Sequence, residues 1–273
     1  MNRIALLSLA AILTACLTGC AAQTKRILVL VPSQVYLRLE HGRLVRVGSY
    51  LDEVTIPALT FVAQNWQLTF ASPEGNKPAL DPRSNNSHYF PASGNVTYQA
   101  ALAFWRSYPS LQKPLKLRDL AVEDPDAPAN ATTAALHGFD ALFIPGGHAP
   151  MIDLWPSTAV ARILLHFIDT KKVIGAVCHG PVVLASTTLL RAPWDLAGRN
   201  MTVFSKPEEQ FMEKTVWKAR MGFYPSDILS RAGGNVQEGA PFVPHVVVDG
   251  RLVTGQNPSS APLFASTFVA LLR

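Results

Sequence analysis

The sequence is poor in cysteine. Its 273 residues include three, Cys16, Cys20 and Cys178, which is too few for the disulfide scaffold of a small exported domain. Charge is also scarce. Only 16% of residues are charged against 48% hydrophobic, and the formal net charge of +5 is spread along the chain, so no basic patch or stripe suggests nucleic acid. The seven histidines (41, 88, 137, 148, 166, 179 and 245) show no HExxH spacing and stand in no cysteine-rich cluster, so the sequence supports no metal site. Nucleotide loops are missing too: Pro145-Gly146-Gly147 has neither the GxGxxG pattern nor the Lys-Ser/Thr pair of a P-loop. Repeats and disordered tracts are absent, which leaves one well-buried α/β-sized domain with an inserted region.

The longest early apolar block, Ile4 to Leu13, follows Arg3 and precedes Leu17-Thr18-Gly19-Cys20. It is too short to span a bilayer, which takes ~20 residues. It has the layout of a secretory leader and resembles that of a bacterial lipoprotein, with Cys20 as the acylated new N-terminus. The organisation expected is therefore a leader at 1–19, a tether at 20–25 and an α/β domain at 26–273, held at the cell envelope by its lipid. A plain leader cut near Ala21 or Ala22 would instead give a soluble exported protein. Removing Arg3 with the leader takes the charge from +5 to +4. It also leaves Cys178 as the only free thiol, a liability in an oxidising setting unless it is buried or chemically needed.

Along the mature chain, Arg26 to Val31 reads as a buried strand. Apolar residues at Leu51, Val54, Leu59, Val62 and Ala63 give a helix with Pro57 inside it, and Gln67 to Ala71 a second strand. Residues from about 76 to 136 break this rhythm with Pro, Asn, Ser and Asp. They read as a cap-forming insertion with weak helical patches at Tyr98–Tyr108 and Leu115–Val122. Alternation resumes with a strand at Ala141–Ile144, a helix at about Thr158–Thr170, the strand Val173–Val177 and a helix at Pro181–Leu189. A strand at Met201–Phe204, a helix start at Pro207, a hairpin around Asp249-Gly250 and a closing helix at Ala261–Leu272 complete the chain. Strands alternating with helices imply a doubly wound, mostly parallel sheet with helices on both faces and a site at the carboxyl ends of its strands.

Cys178, Gly146 and Gly147 fall at those ends. In Val173-Ile174-Gly175-Ala176-Val177-Cys178-His179-Gly180-Pro181 a buried strand ends in a sharp turn into a helix. A thiol there lies near backbone N–H groups and a helix N-terminus, which favour thiolate. Cys178 is thus the candidate nucleophile, and the adjacent His179 the candidate general acid/base. The Gly147 and His179 N–H groups could form an oxyanion hole. His148 reads as a pocket-rim or supporting residue rather than a ligand, and Trp155 and Phe204 as pocket walls or core aromatics.

Pro145-Gly146-Gly147-His148, followed thirty residues on by Ala176 to Pro181, resembles the PfpI-like superfamily of the class I glutamine-amidotransferase-like clan. Thr69 to Gly75, Asp81-Pro82-Arg83-Ser84, the long insertion and Gly250 to Pro258 are similar to its branch of heat-shock holding chaperones and glutathione-independent glyoxalases. The resemblance implies a flavodoxin-like fold and a catalytic glutamate at Glu53, four residues before Pro57, aimed at the cysteine. It also implies an acid orienting His179, at Glu209 or its competitor Glu208. The activity implied is cofactor-free conversion of methylglyoxal or another small 2-oxoaldehyde to a 2-hydroxy acid, and a homodimer is left open. A holding chaperone, a peptidase or amidase and a deglycase are the alternatives. Glutamine amidotransfer is disfavoured, because no histidine is followed by Glu two residues on, the pair such domains use as base.

Overall fold

A computed structural model describes residues 24–90, 94–122, 124 and 126–273. The expected leader, the Cys20 acylation site and most of the tether lie outside the described residues. Among those described, no helix is long and apolar enough to cross a membrane.

Strand β1 (Arg26–Leu30) leads into helix α1 (Leu51–Val62), strand β2 (Gln67–Ser72), helix α2 (Tyr98–Ser107) and the short strand β3 (Leu115–Lys116). Strand β4 (Ala141–Ile144), helix α3 (Thr158–Asp169) and strand β5 (Val173–Val177) follow. Helices α4 (Lys206–Phe211) and α5 (Pro225–Ala232), the hairpin β6 (Val246–Asp249) and β7 (Leu252–Gly255), and helix α6 (Ala261–Leu272) close the chain. The sheet order is β6-β7-β5-β4-β1-β2-β3, parallel throughout except for β6 on β7. This is a flavodoxin-like doubly wound sheet. Its central strands β4 and β5 are buried at every position, as their apolar sequences require when helices cover both faces.

One helical layer holds α1 with α2 and α6; the other holds α3, the 3₁₀ helix Gly180–Leu189 and α5. Under the first layer, Phe61 of α1, Phe143 of β4 and Phe264 and Phe268 of α6 form an aromatic cluster. Phe61 and Phe268 lie 4.7 Å apart between ring centres, and Phe61 meets Phe143 edge-on at 5.7 Å. The cluster ties the first helix to the last across the strand that carries the Gly-Gly loop.

Three sequence expectations change. Met201–Phe204 is no strand of the main sheet: only Asn200–Met201 is extended, in a small parallel pair with Asn235–Val236. Thr202 to Phe204 are buried without joining the sheet's backbone ladder: the Thr202 N–H donates to the Thr254 hydroxyl on β7 and the Phe204 N–H to the Cys178 carbonyl, both at 2.8 Å. Leu115–Val122 is helical only over the single 3₁₀ turn Leu117–Asp119, because its first two residues pair with Ala71 and Ser72 as β3. The segment after the elbow is helical as expected but winds as 3₁₀. A ribbon of Tyr36–Arg38 against Leu44–Arg46 was unforeseen, although residues alternate around His41-Gly42.

Phe268→Ala should cost about 3–5 kcal/mol, the range for emptying a buried aromatic position, read as a lower midpoint in urea unfolding.

Candidate active site

The elbow is backbone-driven. Cys178 has φ of +59°, a left-handed conformation that a non-glycine residue adopts only under constraint. Its N–H donates to the Gly255 carbonyl at the end of β7, and its own carbonyl accepts the Phe204 N–H, both at 2.8 Å. With both neighbours fixed, the side chain stands off the strand end into a cavity of about 770 Å³.

Gly146 lies between the two reactive groups. A Cβ there would come within 2.5 Å of the Cys178 Cβ and 2.7 Å of Glu53 Oε2, so only glycine lets thiol and carboxyl approach. Gly147 has φ of +85° and packs on the Gly48 carbonyl with no room for a side chain. Its N–H faces the Cys178 sulfur and the Glu53 carboxyl and pulls both pKa values down.

A chain of side chains runs away from the sulfur. Cys178 Sγ lies 3.0 Å from His179 Nδ1, and His179 Nε2 lies 2.7 Å from Glu209 Oε1. The second Glu209 oxygen takes His148 Nε2 at 3.2 Å, and the two imidazoles lie 3.8 Å apart between centres. Burial opposes ionisation of Glu209, but the attraction of His179 and then His148 brings its pKa down to about 2. Burial, then His179, push His148 down to about 4, so it is neutral at neutral pH. Facing a carboxylate, both imidazoles carry their proton on Nε2. His179 Nδ1 therefore faces the sulfur as an acceptor.

Glu208 stands elsewhere. Its carboxylate closes a capping box with Ser205 and accepts from the Phe242 N–H, Gln256 and Asn257, work that ties three loops together. Glu209, the next residue on α4, is the one that meets His179.

Glu53 occupies the first turn of α1, fully buried, with neither carboxyl oxygen in a well-formed hydrogen bond. Burial, then the neighbouring Asp52, push it well above the usual carboxylate range, which favours the protonated carboxyl. Burial, then Glu53, also push the Cys178 thiol up. Neither group ionises readily beside the other, so a resting S–H replaces the standing thiolate expected from the elbow.

Phe204 lines the cavity, stacked on His179 at 4.6 Å, whereas Trp155 lies outside it against Phe223. The region expected as a cap contributes Arg83, His88 and Tyr89, and Tyr50 comes from the residue before α1. Sequence reading missed these four. Tyr50 carried a signal, one helical turn ahead of Glu53, and so did Arg83, inside the Asp81 to Ser84 stretch. The bond from His148 to Glu209 was also unforeseen.

His148, His179 and Glu209 bring three potential metal-ligand atoms within 4.8 Å of one another. Residues spaced thirty apart give no local motif, so the sequence could not show this cluster. A divalent cation there would displace both N–H bonds to Glu209 and force His179 to carry its proton on Nδ1, against the sulfur.

A family model described as DJ-1/PfpI matches residues 125–271, more than half of the chain. The chain belongs to the DJ-1/PfpI family. Among curated members of related function, it is 26% identical over 233 residues to the glutathione-independent glyoxalase hsp3102 of Schizosaccharomyces pombe, covering 82% of this chain and 89% of that one. It is 24% identical over 237 residues to the protein/nucleic acid deglycase HchA of Staphylococcus aureus, covering 85% and 75%. The crystal structure of glyoxalase III from Candida albicans superposes with a TM-score of 0.68 at 21% identity, over 91% of this chain and 98% of that one, a likeness of fold. These homologues are enzymes of glyoxalase and deglycase type.

Asp52 is buried with Oδ1 unpartnered, and burial raises its pKa to about 7. An acid whose folded pKa exceeds its unfolded value binds more protons when folded, so stability falls as pH rises from about 4 to about 7. Asp52→Asn should flatten that slope and raise stability at pH 8 by roughly 1–3 kcal/mol, with no gain at pH 4, in urea unfolding at the two pH values. Glu53→Gln removes an ionisable carboxyl that raises the Cys178 thiol, so the pH midpoint of iodoacetamide alkylation should move down. A midpoint that stays or rises would refute the coupling.

Proposed function

We propose that this chain converts 2-oxoaldehydes to 2-hydroxy acids through a Cys178 thioester, without glutathione. The observation that carries the reading is a single sulfur with a base on one side, His179 Nδ1 at 3.0 Å, and a buried carboxyl biased toward its protonated form, Glu53, on the other. Adjacent-carbon proton transfer needs one acceptor and one donor near the same atom. The activities named for its relatives support it.

The steps balance. His179 takes the thiol proton, sulfur bonds to the aldehyde carbon, and the proton passes to the resulting oxygen to give a hemithioacetal. His179 then removes the C1 hydrogen as Glu53 protonates the C2 oxygen, forming an enediol. The imidazolium returns its proton to C2 while the Glu53 carboxylate takes the C1 hydroxyl proton. Both groups are thereby reset, and a thioester remains. Water, deprotonated by His179, attacks it and sulfur leaves; the net change is addition of one water. Glu209 supports the imidazolium at each stage, as buried carboxylates do for an adjacent histidine. The Gly147 N–H supports the oxyanion.

Methylglyoxal incubated with the folded domain should yield lactate without glutathione. Cys178→Ala should abolish this, and Glu53→Gln should lower kcat by about 100-fold or more, since the amide cannot exchange a proton. Lactate formation that survives Cys178→Ala would sink the reading.

A further inference from the structure

The cavity over Cys178 is larger and more apolar than methylglyoxal requires. Methylglyoxal offers only a methyl group beyond its two carbonyls, whereas cavities of ~300–1,000 Å³ enclose drug-sized ligands, and this one holds about 770 Å³. Its mouth is built from Phe211, Met212, Val216 and Phe242. Three of these are exposed although apolar: Phe211 by 48%, Val216 by 44% and Phe242 by 44%. Phe211 and Phe242 meet edge-on at 5.1 Å between ring centres, forming a wall that water covers at a cost.

The backbone that presents this wall is unusual. Directly after α4, which carries Glu209, the chain widens into a π-helix over Met212–Trp217. Such turns are rare and concentrate at functional sites. Here the widening places Met212 and Val216 on the cavity while Trp217 packs under His148 at 4.7 Å. One segment thus carries both the orienting acid and the apolar rim.

Groups for charge recognition are few. Among the described residues, no Asp or Glu lines the cavity. Its one arginine, Arg83, is already held by Asp81 through Nε and a second nitrogen, the latter also on the Arg46 carbonyl. The amide nitrogen of Asn257 is likewise spent on Glu208 and the Val243 carbonyl.

We infer that the preferred substrate is an uncharged 2-oxoaldehyde with a bulky apolar tail, aryl or branched alkyl, which lies against Phe211, Val216 and Phe242 while its aldehyde meets Cys178. This rests on the 2-oxoaldehyde reading above. The tail leaves every bond-forming step unchanged, so phenylglyoxal and one water give mandelate.

The test compares kcat/KM for phenylglyoxal, 4-carboxyphenylglyoxal and methylglyoxal, following each 2-hydroxy acid, in the native protein and in Phe242→Ala and Val216→Ser. Phenylglyoxal should exceed methylglyoxal by tenfold or more, chiefly through KM, because apolar contact discriminates by about that factor or more. The charged analogue should lose most of that gain. Each rim variant should lower the phenylglyoxal-to-methylglyoxal ratio at least threefold. A preference equal in native and variant proteins would reflect the intrinsic reactivity of the aryl aldehyde and overturn the inference. So would methylglyoxal equalling phenylglyoxal in the native protein. No turnover of any of the three would instead overturn the 2-oxoaldehyde reading itself.

Discussion

The site depends on one backbone constraint, the left-handed turn at Cys178. That conformation costs of order 1–3 kcal/mol for a residue with a side chain, and two bonds offset it. Gly255, at the end of the neighbouring strand β7, accepts from Cys178, and Phe204 donates back to it. The elbow is therefore held by the carboxyl end of the neighbouring strand and by the segment that follows Met201 as well as by its own sequence. It also explains why residues 178 and 179, neighbours in sequence, share a pocket: the turn rotates successive side chains toward each other, where an extended strand would send them to opposite faces.

Around that turn the protein has arranged two carboxyls with opposite tasks. Glu209 receives two N–H donors and stays ionised, while Glu53 receives no well-formed bond and is biased toward its protonated form. Both are fully buried, so burial alone cannot separate them; the neighbours do, two imidazoles attracting the charge of Glu209 and Asp52 opposing that of Glu53. Pairs of titratable groups driven apart in this way mark acid and base assignments. Asp52, buried beside Glu53, sharpens the contrast by disfavouring a second charge there.

The order of strands and helices was legible because buried parallel strands leave short β-branched runs, and the Cys178 turn because Gly180-Pro181 punctuates it. Glu53 was legible only through family resemblance. By local pattern it is an ordinary acid in a first helical turn, where the dipole would favour its charge. The choice between Glu208 and Glu209 was not legible, since adjacent residues on a helix point about 100° apart and nothing local says which face meets the site. The strand expected at Met201–Phe204 failed for a related reason. An apolar run marks burial, and here the buried run is bonded to a β7 side chain and to the elbow carbonyl rather than to the backbone of a neighbouring strand.

The rim was the least legible part, and physics accounts for that. Its members come from α4, the π-helix and the loop before β6, and they are exposed, so they carry neither core periodicity nor motif. Catalytic groups leave a sequence signature because each needs one chemistry at one position. An apolar wall needs only area, which many residues can supply. The elbow, the Gly-Gly loop and the His179–Glu209 pair can therefore stay fixed while the wall is rebuilt, and the reaction and the substrate tail become separable properties of one fold.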